Sequence, residues 1–573
     1  MVERRMDGGE MFIEILNRHG VEYIIGSPGS EWPPLWEALS RRRAKGEPAP
    51  TYVNCRHEGL AVGVAAGYHC ATGKLPTVTL HTTSGGLNCA TNLRGALHNS
   101  TPMLVVAGES ISYGDGGAPD PGAQWLAGLS EIGGPTRLLD PVMKWAITVR
   151  TAYNLADTFH RACQIAMRPP KGPVFVNAPL EFMLEQITVE RIPHPPELAA
   201  APQADVAALE QVARLLIEAR APVIFTESVG KEPQAVDALV ELAEMLALPV
   251  VEAAAPACTN FPTDHPSHQG YSPRPFLEKA DVILLLESAT PWHPPAKGPG
   301  PGCKVISIGQ DPDRVLRPYS GYPCDVQIHG SGATNLQVLT QIVRDLKGDR
   351  SIRSVQFEER TARLHDDHQR LRDAAREEAL TAKDATPIDP RWLCHAFNEA
   401  IPADAVVVNE LVVHRPVLDR YLERSRTTRY MRSFGGLGQG LPNALGMKLA
   451  MPDRLVVAVV GDGSFHYNPV VACFGLCQER GMPILTVIFN NHGYGSMQGG
   501  IDKHYPAGYG ARGGGRELAT AITPRPAYPK LVEAFGGWGQ AVDHPSEIIP
   551  ALKRGIQVVQ EGHPALVDVS LAW

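Results

Sequence analysis

At 573 residues the chain has room for about three domains of ordinary size, and 44% hydrophobic with 20% charged residues describes a globular protein. A formal charge of −8 without basic runs argues against nucleic acid as a partner. No apolar stretch approaches a membrane span, the opening MVERRMDGGE lacks a secretory h-region, and ten scattered cysteines form no C-x-x-C pair, so a cytoplasmic protein with reduced, buried thiols is expected.

The first block, residues 1–185, opens with an amphipathic helix over 11–19 and a short strand over 23–25 that runs into the turn GSPGSEW. A strand over 51–54 leads into CRHEGLAVGVAAGYHCATG, a helix of small residues able to pack closely. A strand over 77–80 meets HTTSGGLNCATNLRGALHNSTP, read as a glycine-rich loop and then a second small-residue helix, and 103–107 is the next buried strand. This alternation predicts a parallel sheet. Glu58 stands at the start of an otherwise apolar helix and is expected to be buried. Taken alone it is more readily a first-turn acid complementing the helix dipole. His81 follows a buried strand, where a hydrogen-bonded structural histidine is commoner than a catalyst.

Residues 186–205, QITVERIPHPPELAAAPQAD, read as a linker. A central α/β domain is predicted over 206–350, with helices over 206–219 and 233–246 and strands over 222–225, 249–251, 282–286 and 304–308. It carries no G-x-G-x-x-G fingerprint. Residues 351–386 are dense in Arg, Glu and Asp and read as a solvated helix crossing to the last domain, 387–573.

That last domain holds the most informative stretch. After a helix over 390–400 and a strand over 405–408 come NELVVHRP and RSFGGLGQGLPNALG, and then 454–498, RLVVAVVGDGSFHYNPVVACFGLCQERGMPILTVIFNNHGYGSMQ. The run 455–460 is a strand buried on both faces, Gly461-Asp462-Gly463 breaks it, Pro469 opens a helix, and 483–489 is a second buried strand ending at Asn490-Asn491-His492-Gly493. A right-handed βαβ unit puts both turns at the carboxyl ends of neighbouring strands, where open α/β sheets bind ligands. A hard cation such as Mg2+ wants oxygens: the Asp462 carboxylate, the Asn491 amide and the Gly493 carbonyl offer three. The glycines admit a diphosphate to the backbone, and the following helix favours its charge. Residues 499–517, glycine-rich with interleaved aromatics, read as a mobile lid whose His504, Tyr505 and Tyr509 are candidates for fixing a substrate. A helix over 551–560 and a strand over 565–570 follow.

The GDG turn followed by Asn-Asn after a second buried strand resembles the signature of thiamine diphosphate (ThDP) enzymes, in the acetolactate synthase / benzoylformate decarboxylase (pyruvate decarboxylase-like) superfamily. The likeness covers nearly the whole chain. It implies three open, doubly wound parallel-sheet α/β domains (pyrimidine, central and diphosphate) with ThDP and Mg2+ as cofactors. On this likeness Gly461, Asp462, Gly463, Ser464, Asn491, Gly493 and Tyr494 hold the diphosphate, with Asp462, Asn491 and Gly493 on the metal. Glu58 is implied against N1′ of the aminopyrimidine, Leu437 as the wedge beneath the cofactor, and the Gly435 carbonyl on its 4′-amino group. Small hydroxyl residues often follow the Asn-Glu pair in the family; here Val412, Val413 and His414 stand there, and His414 is a candidate replacement.

GSPGS at 26–30 and LHTTSGG at 80–86 look like benzoylformate decarboxylase, which implies Ser30 on the substrate carboxylate and His81 moving protons. His265, in FPTDHPSHQG, matches a second pocket histidine or is simply a turn histidine. The insertion 113–134 is longer than that pattern, and its Gln124 and Trp125 are expected at the dimer surface rather than in the pocket. Some family members bind FAD in the central domain; FAD is possible and is not predicted here. Family sites lie between the first domain of one subunit and the third of another, implying a homodimer or homotetramer. The implied reaction is non-oxidative decarboxylation of a 2-oxo acid. The alternatives are a carboligase or transferase of acetolactate synthase type, and a lyase or hydrolase acting on a diketone or a 2-hydroxyacyl-CoA. A non-catalytic ThDP- or nucleotide-binding protein is the rival of another class, and mere binding does not need Glu58.

Overall fold

Continuous Val/Ile/Leu runs cannot offer one face to water, so strands built from them need helices on both sides. The computed structural model has three such parallel sheets. It describes residues 4–112, 115–117, 119–124, 128, 131–189, 192, 203–253, 256–313, 322–348 and 354–573; Trp125 and most of the predicted linker lie outside these. The first sheet runs, in spatial order, Thr51–Asn54, Tyr23–Gly26, Thr77–Thr79, Met103–Ala107, Pro173–Asn177, Trp145–Thr148. The third runs Arg429–Arg432, Val406–Glu410, Val456–Gly461, Leu485–Asn490, Ala565–Ser570, Trp538–Val542. Counted within its own domain, each has the order 2-1-3-4-6-5. The five-stranded middle sheet, Val250–Val251, Pro222–Thr226, Val282–Leu286, Lys304–Gly309, Val326–His329, begins the same way. In all three the winding reverses between the first and third strands, which opens a crevice beyond their carboxyl ends.

Two local expectations are corrected. The glycine-rich stretch after His81 is helical from its start, Thr82–His98. Gly85 and Gly86 sit inside that helix because a Cβ there would crowd Glu58 and Leu139, at 3.2 and 3.3 Å. The predicted lid is only partly loop: helix Gly495–His504 opens it, and two π-type turns, Gly510–Gly514 and Arg516–Thr520, follow. Gly510 and Gly515 fold back onto Ile501, where a Cβ on either would stand 2.9 and 2.8 Å from its side chain. Tyr505 and Tyr509 nevertheless point outward, 70% and 91% exposed.

The first and third domains are pressed together by equivalent helices, Glu58–Thr72 and Gly440–Ala450, each following the second strand of its domain. A Cβ at Gly67 would overlap the Asn443 carbonyl oxygen, one at Gly446 the Val64 carbonyl oxygen, and one at Gly63 the Pro442 ring. Leu60, Val64, Leu441 and Leu445 then share a single core that reaches both sheets. The third domain is tied to the middle one by the fully buried Arg424, which donates to Glu252 Oε2 at 2.5 Å and to the Tyr271 hydroxyl at 2.7 Å. Burial alone would raise the Glu252 pKa, but the Arg424 guanidinium holds it below the usual carboxylate range. Helix Ser354–Thr381, 28 residues long, bridges the same two domains. Among the described residues no helix is long and apolar enough to cross a membrane, and all ten cysteines are free.

Because the glycine contact leaves no room for side chains, Gly67→Leu is expected to lower unfolding stability by about 1–3 kcal/mol. Urea denaturation followed by circular dichroism measures this; an unchanged midpoint would mean the two helices have slack.

Candidate active site

In the third domain, strands Val456–Gly461 and Leu485–Asn490 end side by side and aim their turns into one crevice. Asp462 is buried, and its Oδ2 accepts from the Gly493 N–H at 2.8 Å. Burial pushes its carboxyl up to about 6, opposed by the N–H groups of Gly463 and Gly493. The inward amide atom of Asn491 lies 3.0 Å from Asp462 Oδ1 and 2.9 Å from the Gly493 carbonyl oxygen. As a nitrogen it donates to both. As an oxygen it completes a triad of oxygens that a cation would make favourable, and Asn side chains turn over readily between the two. The three predicted ligands therefore converge, and their donor set suits a hard divalent ion. A Cβ on Gly461 would meet only Ser464 Oγ, at 3.9 Å, whereas one on Gly463 would stand 2.8 Å from the Tyr494 ring. Ser464 is buried beside them.

The last strand grips this turn residue by residue. Asn490 donates to Asp568 Oδ1 at 2.8 Å, His492 Nε2 meets Ser570 Oγ at 2.8 Å, and the Trp573 indole lies where a Cβ on Gly493 would come within 2.9 Å. His492 is held at φ 60°, a left-handed conformation unusual for a residue other than glycine. Glu410, at the end of the neighbouring strand, is buried and takes the Gln439 N–H at 2.7 Å and the Asn468 amide at 2.8 Å. Desolvation lifts it to about 7. Leu437 stands half-exposed between Gly435 and Gly438, at φ 95° and 87°. The Gly435 carbonyl accepts from Arg94 Nη1 of the first domain.

The first domain's crevice collects Ser30, Glu31 and His81. His81 Nδ1 bonds Glu31 Oε2 at 2.8 Å, and Glu31 Oε1 accepts the Thr82 N–H at 2.7 Å. Glu31 is 1% exposed, so this carboxylate is fixed, and it raises the His81 pKa, with Glu58 adding to the effect. Ser30 is exposed, and its hydroxyl accepts from Gln124 Nε2 at 3.2 Å. Glu58 is half-buried rather than enclosed: as the first residue of its helix it sits at the edge of the packed seam, where Asn88 donates to its Oε2 at 2.6 Å.

Two expectations change here, and a third residue is located. Gln124 is 1% exposed and bonded to Ser30, so it faces the pocket and not a subunit surface. His265 lies in the middle domain, where Glu244 meets its Nε2 at 3.2 Å and the Ser267 N–H donates to its Nδ1 at 3.1 Å, local contacts that fit the turn-histidine alternative. His414 caps helix Arg415–Tyr421 and is buried against Phe489, its pKa pushed down to about 4 by burial, so it turns inward and replaces no hydroxyl contact. Glu31 was not singled out in the sequence; the signal was an acid in the turn GSPGSEW. In the middle domain, two glutamates hold the turns that follow the strands. Glu227 accepts from Ala289 and Thr290 at 3.0 and 2.6 Å, and Glu232 from Ala333 at 2.9 Å.

The chain matches three models for thiamine pyrophosphate enzymes: the N-terminal TPP binding domain over residues 6–127, the central domain over 209–339 and the C-terminal TPP binding domain over 413–569. It is 27% identical to a benzoylformate decarboxylase of Pseudomonas aeruginosa, over 85% of this chain and 86% of that one. It is 25% identical to a sulfoacetaldehyde acetyltransferase of Rhodobacter capsulatus, over 98% and 94%. The solved structure of a Rhodococcus jostii RHA1 thiamine diphosphate-dependent 4-hydroxybenzoylformate decarboxylase superposes with a TM-score of 0.78 at 25% identity, covering 99% of both chains.

Glu31 supplies the first of the forces that raise His81 above the ordinary imidazole value of 6.5. The stability drawn from the pair is complete below that value and is lost as pH rises through the raised one. Glu31→Gln is expected to lower the His81 titration midpoint, read by NMR of the imidazole protons; an unmoved midpoint would sink the pairing.

Proposed function

Since the chain belongs to the thiamine pyrophosphate enzyme family, we propose that it catalyses the non-oxidative decarboxylation of a 2-oxo acid. The observation that carries this reading is the exposed Ser30 beside a His81 braced by a buried carboxylate. Asp462, Asn491 and the Gly493 carbonyl would hold Mg2+, and Gly461, Gly463, Ser464 and Tyr494 the diphosphate. Leu437 would bear against the cofactor, the second lone pair of the Gly435 carbonyl would take its amino group, and Glu58 would share a proton with its pyrimidine. Thiamine diphosphate, when bound, supplies the carbon nucleophile for the 2-oxo group and the electron sink for the pair released with CO2.

The chain's own side chains do the rest. The Ser30 hydroxyl donates to the substrate carboxylate and orients it. His81, kept protonated further into neutral pH by Glu31, gives a proton from Nε2 to the oxygen or carbon that gains charge. Gln124 holds Ser30 in place. Exposed Val412, Val413, Tyr467, Val471 and Met497 line the segments leaving the third-domain strands, 40–68% open in the single chain. A second subunit would cover them and shut water out of the site, so the working unit in this reading is a dimer. A transferase outcome is the rival, since the acetyltransferase relative spans more of the chain.

With a panel of 2-oxo acids, ThDP and Mg2+, CO2 and free aldehyde are expected in equal amounts. Glu58→Gln and His81→Ala should each cut turnover about 10²–10⁴-fold. Hydroxyketone in place of aldehyde would move the chain to the carboligase branch, and no turnover would overturn the substrate class. EDTA should abolish the activity and Mg2+ restore it.

A further inference from the structure

At the opposite end of the middle sheet from its crevice, a cavity of about 570 Å³ opens between that domain and helix Ser354–Thr381. Its walls include Pro222 and Pro249, which sit where two strands begin, together with Phe276 and the 48%-exposed Leu371. Around them stand five cations, Arg220, Lys279, Arg360, Arg363 and Arg370, and a single lining carboxylate, Asp367, already paired with Arg370. Such a concentration is not what a chain of net charge −8 supplies by averaging.

Arg360 is the built element of this cavity. It is 4% exposed, donating from Nη1 to the Leu246 carbonyl at 3.1 Å and from Nη2 to the Ala219 carbonyl at 3.0 Å. Its Nε is buried without a partner among the described residues. Burial and the neighbouring Arg363 work against its charge, and Asp281, which accepts from the Arg220 and Ala221 N–H groups at 2.7 and 2.9 Å, favours it. Arg360 thus adds fixed positive charge behind the wall, while the exposed Arg220, Lys279 and Arg363 present theirs to the cavity, and the apolar walls favour an anion with a hydrophobic body. A solvated helix face would leave these arginines in water, but it does not account for the apolar concavity they surround.

We propose that this cavity binds a small organic anion, a phosphate ester or carboxylate joined to a flat apolar group. It lies apart from the crevice where the reaction is read. A ligand here would bear on a helix that also holds the third domain, through Glu378 to the Tyr421 hydroxyl at 2.7 Å and to Arg420 at 2.7 Å. The site is therefore placed to act as an effector site.

The test is calorimetric titration of the protein saturated with ThDP and Mg2+, so that the diphosphate crevice is filled. Phenyl phosphate is expected to bind one saturable site per chain. Inorganic phosphate, lacking the apolar body, and benzyl alcohol, lacking the charge, should each bind at least about tenfold more weakly. The exposed charge reversal Lys279→Glu with Arg363→Glu should weaken phenyl phosphate at least about tenfold without moving the ligand-free unfolding midpoint, and Arg360→Gln should weaken it in the same direction. No binding of phenyl phosphate, equal binding of the three probes, or binding untouched by the charge reversal would overturn the proposal.

Discussion

Everything at the site depends on how closely the helices Glu58–Thr72 and Gly440–Ala450 can approach. Backbone meets backbone at Gly67 and Gly446, so the spacing of the two domains is set by main-chain atoms rather than by adjustable side chains. The same contact fixes the start of the first helix, which carries Glu58, and of the second, which follows Leu437 and Gly438. A few ångströms of slack there would shift the first-domain crevice, with Glu58 and His81, relative to the third-domain turns of the same chain.

Electrostatically the two crevices are prepared in opposite ways. In the third domain, carboxyls are driven upward by burial, with Asp462 at about 6 and Glu410 at about 7, because N–H dipoles only partly replace water around them. In the first domain the buried Glu31 has His81 to face, and it is the imidazole whose charge is favoured. Burial thus works against the charge of the third-domain carboxyls, while in the first domain a carboxylate favours the charge of the imidazole. Neither preparation involves the middle domain, where Glu227 and Glu232 accept from backbone N–H groups of their own domain.

The sequence made the scaffold legible where chemistry is local. The apolar runs announced their sheets, and Gly-Asp-Gly with Asn-Asn announced a turn pair that does converge on one point. What stayed hidden depends on contacts distant along the chain. Glu31 reads as one acid in a polar turn until Thr82 and His81 close on it. Gln124 reads as part of a surface insertion until Ser30 is found beside it. His265 sits in a local motif with two readings, and its bonds to Glu244 and Ser267 become visible only once the middle domain is folded. Gly85 and Gly86 read as loop, because glycine's low helix propensity outweighs in sequence the close packing against Glu58 and Leu139 that makes the helix worthwhile in space.

The shared strand order of the outer domains has a geometric consequence. Each domain presents the helix that follows its second strand, so the two meet as equivalents, Gly67 against the Asn443 carbonyl and Gly446 against the Val64 carbonyl. Glu58 is the first residue of its helix, whereas Leu437 stands three residues before the other, so the seam is alike where the helices cross and unlike where they begin.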